Sequence, residues 1–444
     1  MPAESREGRP HFPKQIRFAG IVLAGLLSGA TALAQPSDPP PRPSVVEEVP
    51  SEVAALEQRV QVLEEQARAK EAAKKLDGAT VRAVPGKGLT VTSSDGNYAL
   101  SVGARIQVRS AFVDGPLPAT NDTSIRTLRF LMGGHVLTPD LRYALQLAFA
   151  ANDFEKDTPS PIFNAYAEYV GLRDLNVRVG QFFVPFDRAR TMREFALQFV
   201  DRPTVIRELA LDRDVGLMLS STDLFGTKVL GYHAYVGSGE GKNRTGGLKP
   251  GPLAVGRLVL RPWGMFDDDI EADIGREMRP RLAIGVAGAY NLHTGRQNST
   301  FGTTFTQGTV DYEHLVADLL FKYGGFSLLA EVLSRRANVD SVSGMIDGKI
   351  VREVSRSGYG YTAQAGMMVH RLVEVVARWE QIIARSGTDP AFHKQVDQTG
   401  KQVGGGANVY LNGHAFKLQT DYVYAFGDAP DGTHTFRVQV DASF

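Results

Sequence analysis

Five arginines occupy positions from which they could bind small anions: Arg105, Arg109, Arg129, Arg142 and Arg178. Each lies in a segment where polar and apolar residues alternate, and each falls on the polar side of that alternation. A guanidinium keeps its charge and can bind a phosphate through two parallel hydrogen bonds. If these segments are strands, the five arginines lie on one hydrated surface.

The alternation is clearest in the segment 98–112, where apolar side chains recur at every second residue from Tyr98 to Val108 and again at Phe112. Successive side chains of a strand point to opposite faces, so the segment has one apolar and one hydrated face. At about 3.3 Å per residue and a tilt near 45°, it rises roughly 33 Å. That height spans the ~25 Å apolar band of a membrane barrel, with Tyr98 and Phe112 at the interfaces.

The segment 434–444 alternates in the same way and ends on Phe444. It resembles the last strand of bacterial outer-membrane barrels, but an edge strand of a soluble sandwich shows the same pattern. The first 34 residues favour the barrel. Basic residues precede an apolar run from Phe18 to about Leu33, and a small-residue site follows, as in a secretory signal peptide. The run is short and glycine-containing, which argues against a transmembrane anchor.

Residues 35–50 are rich in proline and predict an extended linker. Residues 51–77 carry apolar side chains at 3-4-3-4 spacing, at Val53, Leu56, Val60, Leu63 and Ala67. This spacing predicts either a short periplasmic coiled coil or a solvated helix that packs on nothing. The rest of the chain, 86–444, is predicted to form a transmembrane antiparallel β-barrel, so the fold class is all-β.

Period-two segments in this region number about sixteen. They lie near 98–112, 125–137, 141–150, 162–170, 175–183, 214–221, 227–236, 253–262, 281–291, 311–323, 326–335, 357–370, 372–383, 402–412, 415–426 and 434–444. The connections between them alternate long and short, beginning with a long one, as in barrels with extracellular loops and periplasmic turns. The stretch 263–280 breaks this rule, because it is long and acidic on the side of the short turns.

Composition excludes several other classes of function. The chain has 49 basic and 49 acidic residues and no cysteine, so a disulfide-stabilised fold is excluded. The nine histidines show no metal-ligand spacing, and no phosphate-binding loop, nucleophile elbow or dinucleotide fingerprint occurs. We therefore expect no enzyme activity, no metal and no cofactor. Bases interleave with acids, which gives no support for nucleic-acid binding.

The segment Val179 to Phe186 reads VGQFFVPF and closely resembles the GQFxxPF segment of the phosphate-selective porin O and P family. Weaker similarities are the Gly-x-Arg at Gly103 to Arg105, the Tyr-x-Glu-Tyr at Tyr166 to Tyr169, and the terminal Phe444. The resemblance covers nearly all of the predicted barrel. It implies a homotrimeric porin in the lipid of the bacterial outer membrane, through which small anions such as phosphate diffuse.

The resemblance also implies that the third long connection, Phe183 to Asp214, folds inward and narrows the pore. The arginines of this third loop would then join the five on the strands, first among them Arg188, Arg190 and Arg193. On the lipid side an arginine at midplane would cost ~2–4 kcal/mol. Arg126 is assigned to that side by parity, but it lies at a strand end, from which its side chain could reach the rim.

Two features depart from a strongly anion-selective pattern. The third loop contains six arginines but also five acids, and later strands carry acids on the polar face at Glu331, Glu374, Glu380, Asp421 and Asp441. Each arginine could thus be a wall charge paired with a carboxylate, or could act directly in anion passage. A general diffusion porin without anion preference stays open, as does a barrel that only anchors an enzyme or adhesin.

Overall fold

A computed structural model describes residues 56, 58–68, 78–154, 160–244 and 251–444. The predicted signal peptide and linker lie outside these residues. Within the predicted helix 51–77, residues 58–68 are helical and exposed. The chain divides into a unit that ends at Ala67 and a unit from Arg68 to Phe444. In the described part of the chain, no helix combines the length and apolar character needed to cross a bilayer.

The second unit is built from strands. They are β1 (Thr80–Val84), β2 (Gly88–Thr92), β3 (Ala99–Asp114), β4 (Thr120–Val136), β5 (Thr138–Ala148), β6 (Ile162–Leu172), β7 (Leu175–Phe183), β8 (Arg213–Ser221), β9 (Leu230–Gly237), β10 (Leu253–Leu260), β11 (Arg281–Thr294), β12 (Val310–Tyr323), β13 (Phe326–Ala337), β14 (Ser341–Ile346), β15 (Lys349–Val354), β16 (Gly358–Met368), β17 (Val373–Ala384), β18 (Lys401–His414), β19 (Phe416–Phe426) and β20 (Thr433–Ser443). Three helices occur between strands: α1 (Arg188–Thr191), α2 (Thr204–Leu209) and α3 (Pro390–Thr399).

Sixteen of these strands, β3 to β13 and β16 to β20, form one closed antiparallel sheet in which each pairs with the next and β20 pairs with β3. The predicted sixteen-stranded antiparallel barrel is therefore confirmed. The sequence did not predict β1 and β2, which extend the sheet beside the first residues of β3, or the separate hairpin of β14 and β15. Closure leaves no open sheet edge, which lets a sheet span a membrane.

The two faces of the sheet differ as the alternation predicts. On β20, Phe436, Val438 and Val440 are exposed, whereas Gln439 and Asp441 are buried. The exposed face is apolar because hydrocarbon surrounds it, and the buried face holds polar side chains inside the barrel.

The two rims also differ. On one rim β4 and β5 are joined by Leu137 alone, and β12 and β13 by Gly324-Gly325. On the other rim most connections are longer, but only residues 115–119 join β3 to β4, because these strands stay paired up to Val113 and Thr120, and only residues 427–432 join β19 to β20. The stretch between β10 and β11, residues 261–280, is long on the rim of tight turns, as the sequence indicated.

The face assignment predicts the effect of a charge on the outer surface. Val438 lies in the middle of β20 and points outward, so Val438→Arg should lower the free energy of unfolding by ~2–4 kcal/mol. Val438→Leu is the matched control and should leave stability nearly unchanged. Denaturant titration in phospholipid vesicles measures both variants, and equal stabilities would contradict the assignment.

Candidate functional site

The GQFxxPF segment has a structural role at the end of β7. Gly180 has φ of +133°, and a Cβ there would lie 2.2 Å from the carbonyl oxygen of Ala165. The Gln181 amide is buried and donates to the carbonyl oxygen of Ile162 at 3.1 Å. The Phe182 ring packs edge-on against Tyr235, with centroids 5.7 Å apart. The motif therefore fixes the end of β7, from which the third loop enters the barrel.

The third loop, residues 184–212 in the structure, packs against one side of the lumen. Phe186 and the α2 residues Val205, Ile206 and Leu209 are fully buried. Their partners on the wall are inward-facing apolar side chains of β10 to β13 and β17, among them Val255, Val316, Leu320, Leu329, Leu333 and Ile382. Burial of this surface is a favourable contribution that keeps the loop inside.

Carboxylates on the wall bind backbone and side-chain donors of the third loop. Glu331 accepts from the Ala189 N–H at 2.7 Å, Asp421 from the Val200 N–H at 2.9 Å, and Glu380 from the Val205 N–H at 3.0 Å. Charge-assisted hydrogen bonds of this kind are strong in a buried setting. Three of the acids that the sequence placed on the polar face therefore hold the loop.

Seven of the eight predicted arginines lie within 4 Å of a carboxylate. Their partners are Asp441 for Arg105, Asp201 for Arg109, Asp153 and Glu194 for Arg129, Glu168 for Arg178, Asp268 and Asp318 for Arg188, Asp212 for Arg190, and Asp267 for Arg193. Arg142 is exposed at the rim of tight turns and donates to the carbonyl oxygen of Pro139 at 3.3 Å. The structure thus disperses the eight arginines over the barrel strands and the third loop.

A cavity of about 160 Å³ lies between the third loop and the strands opposite. We call it the basic cavity. Its charged lining is Arg109, Arg126, Arg190, Arg202, Arg207, Arg213 and Lys242 against Asp153, Glu194, Asp201 and Asp212. Seven bases less four acids leave a formal charge of +3. Of the eight predicted arginines, only Arg109 and Arg190 line it.

Arg126 reaches the basic cavity because of an irregularity in β4. The pairing of β3 with β4 shifts between Gln107 and Val108, which leaves Arg126 as an extra residue. A β-bulge of this kind re-aims a side chain. The guanidinium lies 3.9 Å from the Asp201 carboxylate inside the barrel. The assignment of Arg126 to the lipid side was therefore wrong, since strict alternation cannot detect a bulge.

Asp201 joins three arginines in the basic cavity. Its carboxylate lies 2.9 Å from Arg109, 2.7 Å from Arg437 and 3.9 Å from Arg126. Burial alone would raise the pKa of Asp201, but these guanidiniums outweigh it and lower that pKa below its usual value. One ionised carboxylate is thus shared among three cations.

The Arg213 guanidinium is sandwiched between two aromatic rings of the basic cavity. It lies 3.4 Å from the ring centroid of Phe163 and 3.6 Å from that of Phe183. The Arg129 guanidinium also lies over the Phe163 ring, 3.8 Å from its centroid. Stacking holds a cation through its faces, so it fixes the guanidinium while its edges stay available for hydrogen bonds.

The fold has solved counterparts. Salmonella typhi OmpF, in a complex with daunomycin, aligns with a TM-score of 0.50 at 12% identity, over 78% of this chain and 98% of that chain. An anion-selective porin from Comamonas acidovorans aligns with a TM-score of 0.49 at 11% identity, over 78% of this chain and all of that one. No curated protein sequence matches this chain. At such identities the OmpF likeness shows the fold alone.

The closed sixteen-stranded sheet with an apolar outer face has the fold of the outer-membrane porins. Residues 98–255 match the family model described as phosphate-selective porin O and P. The matched residues include the GQFxxPF segment, and the resemblance found there is confirmed.

Removal of the shared carboxylate should change the charge of the basic cavity. Asp201→Asn raises the formal charge from +3 to +4 and leaves Arg109, Arg437 and Arg126 with one acid fewer. A unit charge 4 Å away is worth about 1 kcal/mol in water, so anion preference should rise by up to about fivefold. Zero-current potentials across planar bilayers measure it.

Asp428→Asn is the control, because Asp428 pairs with Lys401 and its side chain is 82% exposed. This variant should behave as the wild type. A zero-current potential unchanged in Asp201→Asn would contradict the role assigned to Asp201.

Proposed function

We propose that this porin lets small anions such as phosphate cross the outer membrane by passive diffusion, with the basic cavity as its constriction. The observation that carries the proposal is the formal charge of +3 in a narrow space between the third loop and the wall. A cavity lined by one sign of charge with low-dielectric walls concentrates ions of the opposite sign. Passage also requires that each anion leave the cavity again. Because most arginines are paired with carboxylates, they hold a passing anion less tightly.

Two arginines are the best candidates for direct contact with an anion. The Arg207 guanidinium is exposed and donates to Thr204 Oγ1 at 3.2 Å, and among the described residues no carboxylate lies within 4 Å of it. Arg126 has its nearest carboxylate at 3.9 Å and a side chain that is 32% exposed. Both therefore keep donors that a passing phosphate could use.

The eight arginines predicted from sequence divide into different roles in this proposal. Arg109 and Arg190 contribute charge to the basic cavity, whereas Arg105, Arg129, Arg178 and Arg188 hold the frame through buried or half-buried ion pairs. Arg142 and Arg193 are exposed away from it. A general diffusion porin is the second candidate, because so many lumen arginines are neutralised by neighbours.

The proposal extends to a homotrimer with an N-terminal periplasmic stalk. Residues 1–34 would be removed on export, 35–50 would form a spacer, 51–77 would form a short coiled coil, and 86–444 would form the barrel. Support comes from helical residues 58–68, where the predicted seam residues Val60 and Leu63 are exposed and available to another copy.

The sign of the zero-current potential under a potassium chloride gradient tests the proposal. We expect the wild type to prefer chloride to potassium, and phosphate in the bath to reduce the chloride current by competing for the same cavity. The double variant Arg126→Gln/Arg207→Gln removes two of the seven basic side chains. The preference for chloride over potassium should fall about fivefold for each lost charge that lies within 4 Å of the passing anion.

Arg142→Gln is the matched control, because Arg142 is an arginine of the barrel outside the basic cavity. It should leave the potential unchanged. Cation preference in the wild type would remove the anion proposal, and equal effects of the two sets of substitutions would remove the assignment to Arg126 and Arg207.

A further inference from the structure

The stretch between β10 and β11, residues 261–280, turns into the barrel instead of lying on its rim. We call it the inward turn. Glu271, Ala272 and Asp273 in its middle are only 2–3% exposed. Ala272 packs with Met368 and Tyr410, residues of β16 and β18. A turn on a solvent-facing rim would not bury charged residues to this degree.

The inward turn binds the first half of the third loop. Asp268 Oδ2 lies 2.9 Å from Arg188 Nη1, and Glu271 Oε2 accepts from the Gln198 N–H at 2.6 Å. The Glu271 N–H in turn donates to the Ala196 carbonyl oxygen at 3.4 Å. An outer ion pair joins Asp267 to Arg193 at 3.5 Å. These contacts cover residues 188–198, the part of the loop that precedes α2.

The same acids of the inward turn bind the barrel wall. Asp268 also pairs with Arg261 at 2.9 Å, and Glu271 also accepts from Gln364 Nε2 on β16 at 2.7 Å. Asp273 accepts from the Gly325 N–H at 2.8 Å. Glu271 therefore connects the third loop to the wall, Asp268 connects it to Arg261 directly after β10, and neither acid belongs to the lining of the basic cavity.

We propose that the inward turn is a positioning element that fixes the third loop from the periplasmic side and so keeps the constriction at one width. The inference rests on the proposed function, since it assumes that the third loop borders the conducting path. Covalent attachment holds the loop only at its two ends. Loss of the turn's carboxylates would leave the Gln198 N–H without its acceptor and Arg188 with Asp318 as its remaining carboxylate.

Single-channel recording tests this role with Asp268→Asn combined with Glu271→Ala, which removes the acceptor of the Gln198 N–H. The wild type should show one steady conductance level, and the double variant should fluctuate among several levels at least twofold apart. The zero-current potential should stay as in the wild type, because the basic cavity keeps its charges. A double variant as quiet as the wild type would overturn the inference.

Three further variants separate the ion pair from general damage. Asp269→Asn changes the adjacent acid, which is exposed and whose carboxylate makes no hydrogen bond or ion pair in the described part of the chain. Its conductance should stay at one steady level, as should that of Asp268→Glu, which keeps the charge. Asp268→Asn alone should fluctuate. Noise in Asp268→Glu equal to that in Asp268→Asn would refute the electrostatic link.

The readouts also separate the two proposals. Failure of the proposed function appears in the wild type as a cation-preferring zero-current potential, whatever the noise. Failure of the positioning role appears as unchanged noise in the double variant, whatever the ion preference. Heat-dependent gel mobility, which reports a folded barrel, accompanies each variant so that a folded and quiet double variant counts against the inference.

Discussion

A guanidinium inside a barrel must find a carboxylate or carbonyl oxygen, because an unpaired buried charge costs several kcal/mol. This constraint places the third loop. Its carboxylates Asp201 and Glu194 form ion pairs with arginines of β3, β4 and β20. On the opposite wall, carboxylates accept hydrogen bonds from backbone N–H groups of the loop. The loop thus supplies carboxylates to the arginines of one wall, and the other wall supplies carboxylates to the N–H groups of the loop. The charge that is left over, rather than the total number of arginines, gives the basic cavity its sign.

Period-two alternation predicted the sixteen strands, because the membrane imposes one apolar face on every strand. The partners of the arginines could not be predicted in the same way. Arg105 and Asp441 are 336 residues apart and meet only because the barrel closes. The bulge at Arg126 is also invisible to a strict alternation, and Lys242 enters the basic cavity from a loop of no regular pattern. The apolar patch around Val316 and Leu329 was missed because these residues share the inward face of their strands with polar residues such as Asp318 and Glu331.

The inward turn explains why an acidic stretch interrupts the rim of short turns. Acids at 267, 268, 271 and 273 have no place in a tight turn, but inside the barrel each meets an arginine or an N–H group. The third loop is held from the other rim as well, where Thr300 Oγ1 accepts from the Asp212 N–H at 2.9 Å. Support from both rims suits a loop that must keep one position in a water-filled space.

The charge of the basic cavity depends on which residues of β4 face water. The chain has no cysteine, so single substitutions can be probed cleanly with an anionic sulfonate thiol reagent. Ile125→Cys should point to lipid and Arg126→Cys into the basic cavity, although the residues are adjacent. We expect the reagent to reduce the current through Arg126→Cys and to leave Ile125→Cys unaffected. Block of Ile125→Cys with no effect on Arg126→Cys would contradict the account.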